Sequence, residues 1–289
     1  MKNINISEVN YKNFGRCVKI SNGVVDLLVT IDVGPRIIRF GFEGRENMLC
    51  ENTDYKVKSG DDYWYIYGGH RLWHAPEANP RTYYPDNSPV SYEIIENGIK
   101  VTGNVEKWRQ VIKEIEIVLN PEDNKVRVLH RITNKNAWDI KLSVWALTVM
   151  DKGGVEIIPV NTQQTDLLPN MNLAIWPYTR LNDKRVNWGE KYIVIKQDEN
   201  ESQPFKIGIS NNEGWAAYVN KGVTFIKRYK HIEGANYPDY GVSYETYTNY
   251  FMLEMETLSP LTEIKPDECI EHIEEWELID NDYMMRNLI

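Results

Sequence analysis

The sequence predicts an all-β chain, a sandwich or a barrel, on three observations. Apolar residues recur with period two from end to end. No stretch of eleven or more residues keeps a 3.6-residue period, and the apolar runs are short and bounded by Gly, Pro, Asn or Asp. Many short strands separated by turns, without helices between them, pack as sandwiches or barrels rather than as a parallel sheet.

In chain order, a β-branched run over 24–32 breaks at Gly34-Pro35 and resumes over 36–40, which predicts two strands joined by a tight turn. Segments 91–95 and 99–101 flank Asn97-Gly98, a strong hairpin signal. Segments 111–119 and 125–132 alternate apolar and polar residues around Pro121-Glu122-Asp123-Asn124, as a long hairpin with one solvated face does. The 140–150 run is apolar enough for a deeply buried strand. Further strands are predicted over 192–196, 205–210, 215–219, 223–229, 250–256 and 269–278. Two stretches rich in Trp, Tyr, Pro and Asn, 52–88 and 162–187, read as long loops, and loops of that length usually serve a site.

Composition narrows the partners. At 289 residues the chain is long enough for two domains or one large all-β domain. The formal net charge of −9 repels phosphate backbones and anionic lipid, so neither nucleic acid nor a membrane is an expected partner. The first residues carry no apolar run of the secretory kind, and no segment approaches the ~20 apolar residues of a membrane span, so a cytoplasmic address is expected. Cys17, Cys50 and Cys269 lie far apart, without a Cys-x-x-Cys pair, and read as ordinary thiols. Among the aromatic residues, 9 Trp and 18 Tyr against 6 Phe favour rings with a polar edge, which suit the C–H patches and hydroxyl rim of a sugar.

Two clusters can carry chemistry. The first is Tyr67-Gly68-Gly69-His70-Arg71-Leu72-Trp73-His74-Ala75-Pro76-Glu77, where two histidines, an arginine, an indole and a carboxylate follow a Gly-Gly hinge. It reads as a loop that forms a pocket wall or else lies on the surface. The His spacing matches no established metal pattern, and neither a metal nor a cofactor is called for. The second cluster is the 250–260 segment, in which period two sets Met252, Glu254 and Glu256 on one face and Phe251, Leu253 and Met255 on the other. Glu254 in a partly dry cavity would serve as a base near neutral pH; on a solvated strand face it would be inert. Lys227, inside the apolar 225–229 strand, either reaches a pocket or snorkels to the surface.

Phe251-Met252-Leu253-Glu254-Met255-Glu256, Leu258-Ser259-Pro260, Ile264-Lys265-Pro266-Asp267-Glu268 and the final Trp276-Glu277-Leu278 resemble the end of galactose mutarotase-like proteins, the aldose 1-epimerase superfamily. Val33-Gly34-Pro35-Arg36-Ile37 and Gly68-Gly69-His70 resemble that superfamily's early Gly-x-Arg-Ile and His-Gly-Gly elements, and the closest likeness is to an uncharacterised bacterial branch. The resemblance runs in order along most of the chain. It implies one domain over 1–289, a large antiparallel β-sandwich (a supersandwich) with a concave sugar cleft, and aldose epimerase-like acid–base chemistry on a small carbohydrate. By that resemblance Glu254 is the catalytic base and Arg36 orients substrate. His70 matches a hydroxyl-binding histidine.

One departure stands out. The superfamily carries its general acid on a mid-chain strand with a His-x-Tyr-Phe-like pattern, where this chain has Ser143-Val144-Trp145-Ala146-Leu147-Thr148. The acid role would then fall to His74 or His70, or less readily to His231, with Arg71, Trp73, Glu77 and Lys227 completing a binding site. Alternatively the chain is a non-catalytic carbohydrate-binding protein that has lost the acid, or a lyase or hydrolase using paired carboxylates. The oligomeric state is left open.

Overall fold

A computed structural model describes residues 3–281, and over them the chain forms two antiparallel sheets packed face to face. One has 12 strands. Its main path runs Asn5–Asn10, Arg16–Ser21, Val25–Thr30, Arg36–Phe42, Asp62–Ala75, Ile140–Asp151, Met252–Leu258, Tyr244–Thr248, Phe205–Ile209 and Leu173–Ile175. Glu51–Ser59 pairs with Asp62–Ala75, and Thr262–Ile264 with Ile140–Asp151. The other sheet has 10 strands, with Val223–Tyr229, Cys269–Asp280, Lys125–Asn134 and Val111–Leu119 at its centre.

Period-two patterning does the work the sequence predicts. In Val111–Leu119 buried and half-buried residues alternate strictly, so one face meets the opposite sheet and the other meets solvent. Between the sheets Phe40, Phe225 and Trp276 stack in edge and tilted contacts at 5.5 to 6.1 Å, at the centre of the main core. Ile140–Asp151 is buried on both faces. Leu142, Val144 and Met150 join that core, whereas Trp145, Leu147 and Val149 join a second apolar cluster on the far side of the larger sheet, with Trp64, Trp73 and Met252.

The 52–88 stretch departs from expectation. Most of it is not loop: Glu51–Ser59 and Asp62–Ala75 form a hairpin, and the second of these strands sits inside the larger sheet between Arg36–Phe42 and Ile140–Asp151. Its aromatic and glycine-rich composition reads as irregular because the strand contains an unusual backbone step. Tyr67, Gly68 and Gly69 take φ of 51°, 83° and 64° in succession. A Cβ at Gly68 would lie 2.1 Å from the Cys50 carbonyl oxygen, and one at Gly69 2.3 Å from that of Ile37, so only glycine fits between the flanking strands. The step also shifts the alternation. Trp64 and Ile66 face outward before it, and Arg71 and Trp73 face outward after it.

The 162–187 stretch holds only the short strands Leu173–Ile175 and Val186–Trp188 and is otherwise irregular. Strands at Asn5–Asn10, Arg16–Ser21, Val155–Pro159 and Tyr244–Thr248 add to those predicted. Among the described residues no helix is long and apolar enough to cross a membrane. Cys17 and Cys50 are buried free thiols, and Cys269 is free and exposed.

Candidate functional site

The outward face of the larger sheet carries a cleft of about 480 Å³. Its floor is a register row. Reading across adjacent strands, Arg36 lies opposite Arg71, Arg71 opposite Leu147, Leu147 opposite Glu256, and Glu256 opposite Glu245. One step along, Val149, Glu254, Tyr247 and Lys206 form a parallel row. Side chains directly across a sheet stand on the same face, so the antiparallel register alone brings residues from six strands to one floor. Tyr55, Lys58, Glu77, Tyr83, Trp176 and Tyr178 rise around it from the neighbouring hairpin and loops.

The floor holds two charged clusters. In the first, Arg71 Nη2 donates to Glu254 Oε1 at 2.8 Å, and the guanidinium lies over Trp73 at 4.4 Å and Trp64 at 5.4 Å. Both partners are nearly buried, at 4% and 8% side-chain exposure. The flat guanidinium between indoles is held by stacking as well as by charge, which a lysine could not reproduce. In the second, Lys206 Nζ sits 2.8 Å from Glu245 Oε2 and 3.0 Å from Glu256 Oε2, over the rings of Trp145 and Trp176 at 4.7 Å each. Trp145 Nε1 also donates to Glu256 Oε2 at 2.8 Å. Burial works against the charge on Lys206, but its two carboxylate neighbours outweigh it and hold the ammonium well above its usual range. Burial raises Glu256 and Glu245 above the usual carboxylate range, with Lys206 acting in the opposite sense.

Glu254, Arg71, Trp73 and Glu77 meet in this cleft; Glu77 accepts a hydrogen bond from the Tyr83 hydroxyl at 2.5 Å. Four other residues singled out from the sequence lie elsewhere. His70 points between the sheets, where Nε2 lies 2.7 Å from His130 Nε2 and Nδ1 lies 2.8 Å from Thr148 Oγ1. His74 is buried near Lys113, Arg109 and Arg81, and desolvation holds it well below the usual histidine range. Arg36 stands at the end of the floor row but is sealed off, paired with Asp86 at 2.9 Å beneath the Tyr67 ring. Lys227 is wholly buried between the sheets, 3.0 Å from Glu274 Oε1 and from the Met255 carbonyl oxygen. The expectation that His70, His74, Arg36 and Lys227 line the cleft is therefore corrected. For the histidines the cause is the Gly68-Gly69 step, which turns even-numbered residues inward.

The inward histidines belong to a directed hydrogen-bond chain. His130 Nδ1 must donate to the His272 carbonyl at 3.0 Å, so its Nε2 accepts and His70 Nε2 is the donor; Thr148 then donates to His70 Nδ1. Thr257 donates to Glu274, so His272 Nε2 donates to Thr257 at 2.8 Å. Burial holds His70 and His130 below their usual range and His272 down to about 3, so all three are neutral. His70, His130 and Glu274 could offer three ligand atoms within 4.8 Å. As arranged, those atoms are taken by one another, by Trp276 Nε1 and by the Lys227 ammonium, which leaves little for a cation to gain.

Lys206, Glu245, Trp145, Trp176 and Tyr178 enter the site without having been singled out in the sequence. The signal there is membership of predicted strands for Lys206 and Trp145 and of the 162–187 loop for Trp176 and Tyr178; Glu245, on the unpredicted strand Tyr244–Thr248, had none.

No known protein family matches the chain, and no curated protein is similar to it in sequence. Solved structures are similar in fold. The candidate mutarotase YeaD of Salmonella typhimurium superposes with a TM-score of 0.61 at 10% identity, over 95% of this chain and 94% of its own. A candidate aldose 1-epimerase of Klebsiella pneumoniae gives 0.59 at 12% identity, over 99% of this chain and 87% of its own. A TPR-domain-containing protein of Parabacteroides distasonis gives 0.62 at 12% identity, and there the chain spans only 47% of the longer protein. The fold is the galactose mutarotase-like β-sandwich.

Proposed function

We propose that this galactose mutarotase-like sandwich, acting as one domain over 1–289, binds a sugar or sugar derivative in the cleft and interconverts its anomers by acid–base chemistry, with Glu254 as the base. One observation carries the reading: a carboxylate held by Arg71 at 2.8 Å on the floor of a deep cleft walled by Trp64, Trp73, Trp145 and Trp176. Indole faces stack on the C–H surfaces of a pyranose, while the charged groups between them can meet its hydroxyls. Arg71 fixes the direction of Glu254, Trp73 and Glu77 contact substrate, and a cytoplasmic setting suits three free thiols.

Anomer exchange followed by NMR on free and phosphorylated hexoses tests this directly. Glu254→Gln, which keeps the shape and loses the base, should slow exchange by roughly 10²- to 10⁴-fold. Equal rates in the two proteins would end the reading. A second reading, a non-catalytic carbohydrate-binding protein, is favoured by the absence of any imidazole from the cleft wall among the described residues. In that case Trp73→Ala weakens sugar binding in calorimetry while the wild-type chain exchanges anomers only at the solvent rate.

A further inference from the structure

We propose that Glu256 is the proton donor of the cleft, and that Lys206 and Glu245 hold it ready. The proposal rests on the acid–base reading above.

The geometry begins with a conflict. Glu245 and Glu256 face each other directly across two strands, an arrangement that repels when both are ionised. Lys206 bridges them, but one ammonium balances only one carboxylate. The nearest other cation on the floor, Arg71, is already engaged with Glu254. Both carboxyls are essentially buried, at 0% and 1% side-chain exposure, where an unbalanced charge is costly. A single proton shared by the pair removes the excess charge. Glu256 is the member that lines the cleft. Its Oε2 is occupied by Trp145 Nε1 and Lys206 Nζ; its Oε1, like both oxygens of Glu245, has no hydrogen-bond partner among the described residues, so within Glu256 it is Oε1 that can take the shared proton to the cleft.

The groups facing this carboxyl are Lys206, Glu245, Glu254 and Arg71 on the floor and Tyr178 on the wall, with Glu156, Lys227 and Tyr244 acting through the sheet. Desolvation and the two neighbouring glutamates raise its proton affinity, and Lys206 and Arg71 lower it; the pair titrates as one unit.

In ring opening, Glu254 accepts the proton of the anomeric hydroxyl and the O–H electron pair becomes the new C1=O bond. The bond from C1 to the ring oxygen breaks, its pair stays on that oxygen, and Glu256 supplies the proton there and becomes a carboxylate. Closure on the opposite face of C1 returns both protons, so no co-reactant is consumed.

The test pairs kinetics with infrared spectroscopy. D-Glucose, D-galactose and glucose 6-phosphate serve as probes in anomer-exchange NMR across pH for wild type, Glu256→Gln and Glu245→Gln. Glu256→Gln should lose roughly 10²- to 10⁴-fold in rate at every pH while sugar affinity holds. Glu245→Gln should stay active but lose activity at a lower pH than wild type, because removing the second carboxyl weakens the hold on the proton; a purely structural role would not move that limb. The C=O stretch of a protonated carboxyl should be present at neutral pH and vanish in Glu256→Gln, read in a Glu156→Gln background because Glu156 is itself held up to about 8. Wild-type exchange rates in Glu256→Gln, or an unchanged infrared band, overturn the proposal. Exchange at the solvent rate in the wild-type chain instead overturns the reading on which the donor role rests, and loss of the band in Glu256→Gln would still uphold the stored proton.

Discussion

The larger sheet has two faces built from the same strands, and they treat polar residues in opposite ways. Toward the smaller sheet, His70, His130, His272, Thr148, Thr257, Glu274 and Lys227 saturate one another in fixed hydrogen-bond directions, while His74 Nδ1 is buried there without a hydrogen bond. Toward the cleft, Arg71 Nε and Nη1, Trp64 Nε1, Glu256 Oε1 and both Glu245 carboxylate oxygens are buried without a hydrogen bond. A finished network specifies packing and has no spare capacity for a ligand; an unfinished one costs stability and is the kind of arrangement reserved for binding and chemistry. Buried charge alone does not mark a site, since both faces have it.

Three experiments can break or sharpen this contrast. The largest effect should come from Lys227→Met, which strands Glu274 between the sheets and should cost about 3–5 kcal/mol in urea unfolding, with sugar affinity of the folded protein unchanged. A loss of affinity at constant stability would place Lys227 functionally in the cleft and undo the distinction.

A smaller effect should follow from pH. His70, His74, His130 and His272 are held below the usual histidine range by burial, so below about pH 6.5 the unfolded chain binds protons that the folded chain refuses. Each then costs about 1.4 kcal/mol per pH unit, fully recovered above pH 6.5. Glu156 and the Glu245–Glu256 pair act in the opposite sense, since they bind protons in the folded chain that the unfolded chain releases above about pH 4.5. Burial also raises Glu106 and lowers His231, so five histidines stand against four carboxyls and stability should fall modestly between pH 6.5 and 5. A Tm that is flat over that range would show the histidines to be accessible.

The smallest effect belongs to the rim. Tyr83→Phe removes a half-exposed hydrogen bond to Glu77 and should change stability by about 1 kcal/mol or less. It should weaken sugar binding only modestly in calorimetry; a loss of all binding would move the centre of the site from the floor to the rim.

Strand periodicity made most of the sandwich readable in advance, because alternation in segments such as 111–119 and 223–229 is a local property of the chain. Glu254 was legible for the same reason: it shares a strand face with Glu256. The Lys206–Glu245–Glu256 cluster was not, since it depends on which strands become neighbours, and nothing local to Lys206 says that Tyr244–Thr248 and Met252–Leu258 lie beside it. The facing of His70 and His74 was illegible for a subtler reason. Alternation carried forward from Trp64 and Ile66 puts even-numbered residues on the cleft side, and only the left-handed run at 67–69 reverses that parity.

That reversal gives the two glycines a role beyond fitting a crowded backbone. They count: one extra residue's worth of path separates the aromatic half of the strand from its charged half. Substituting cleft residues one at a time would leave the buried imidazoles where they are. Shortening the glycine pair by a single position would remove the extra residue and the step together, so regular alternation would still hold Arg71 and Trp73 on the cleft side, whereas straightening the backbone with the count kept would turn His70 and His74 out. The left-handed step, rather than any single side chain, is thus what keeps arginine and indole on the working surface and imidazole off it.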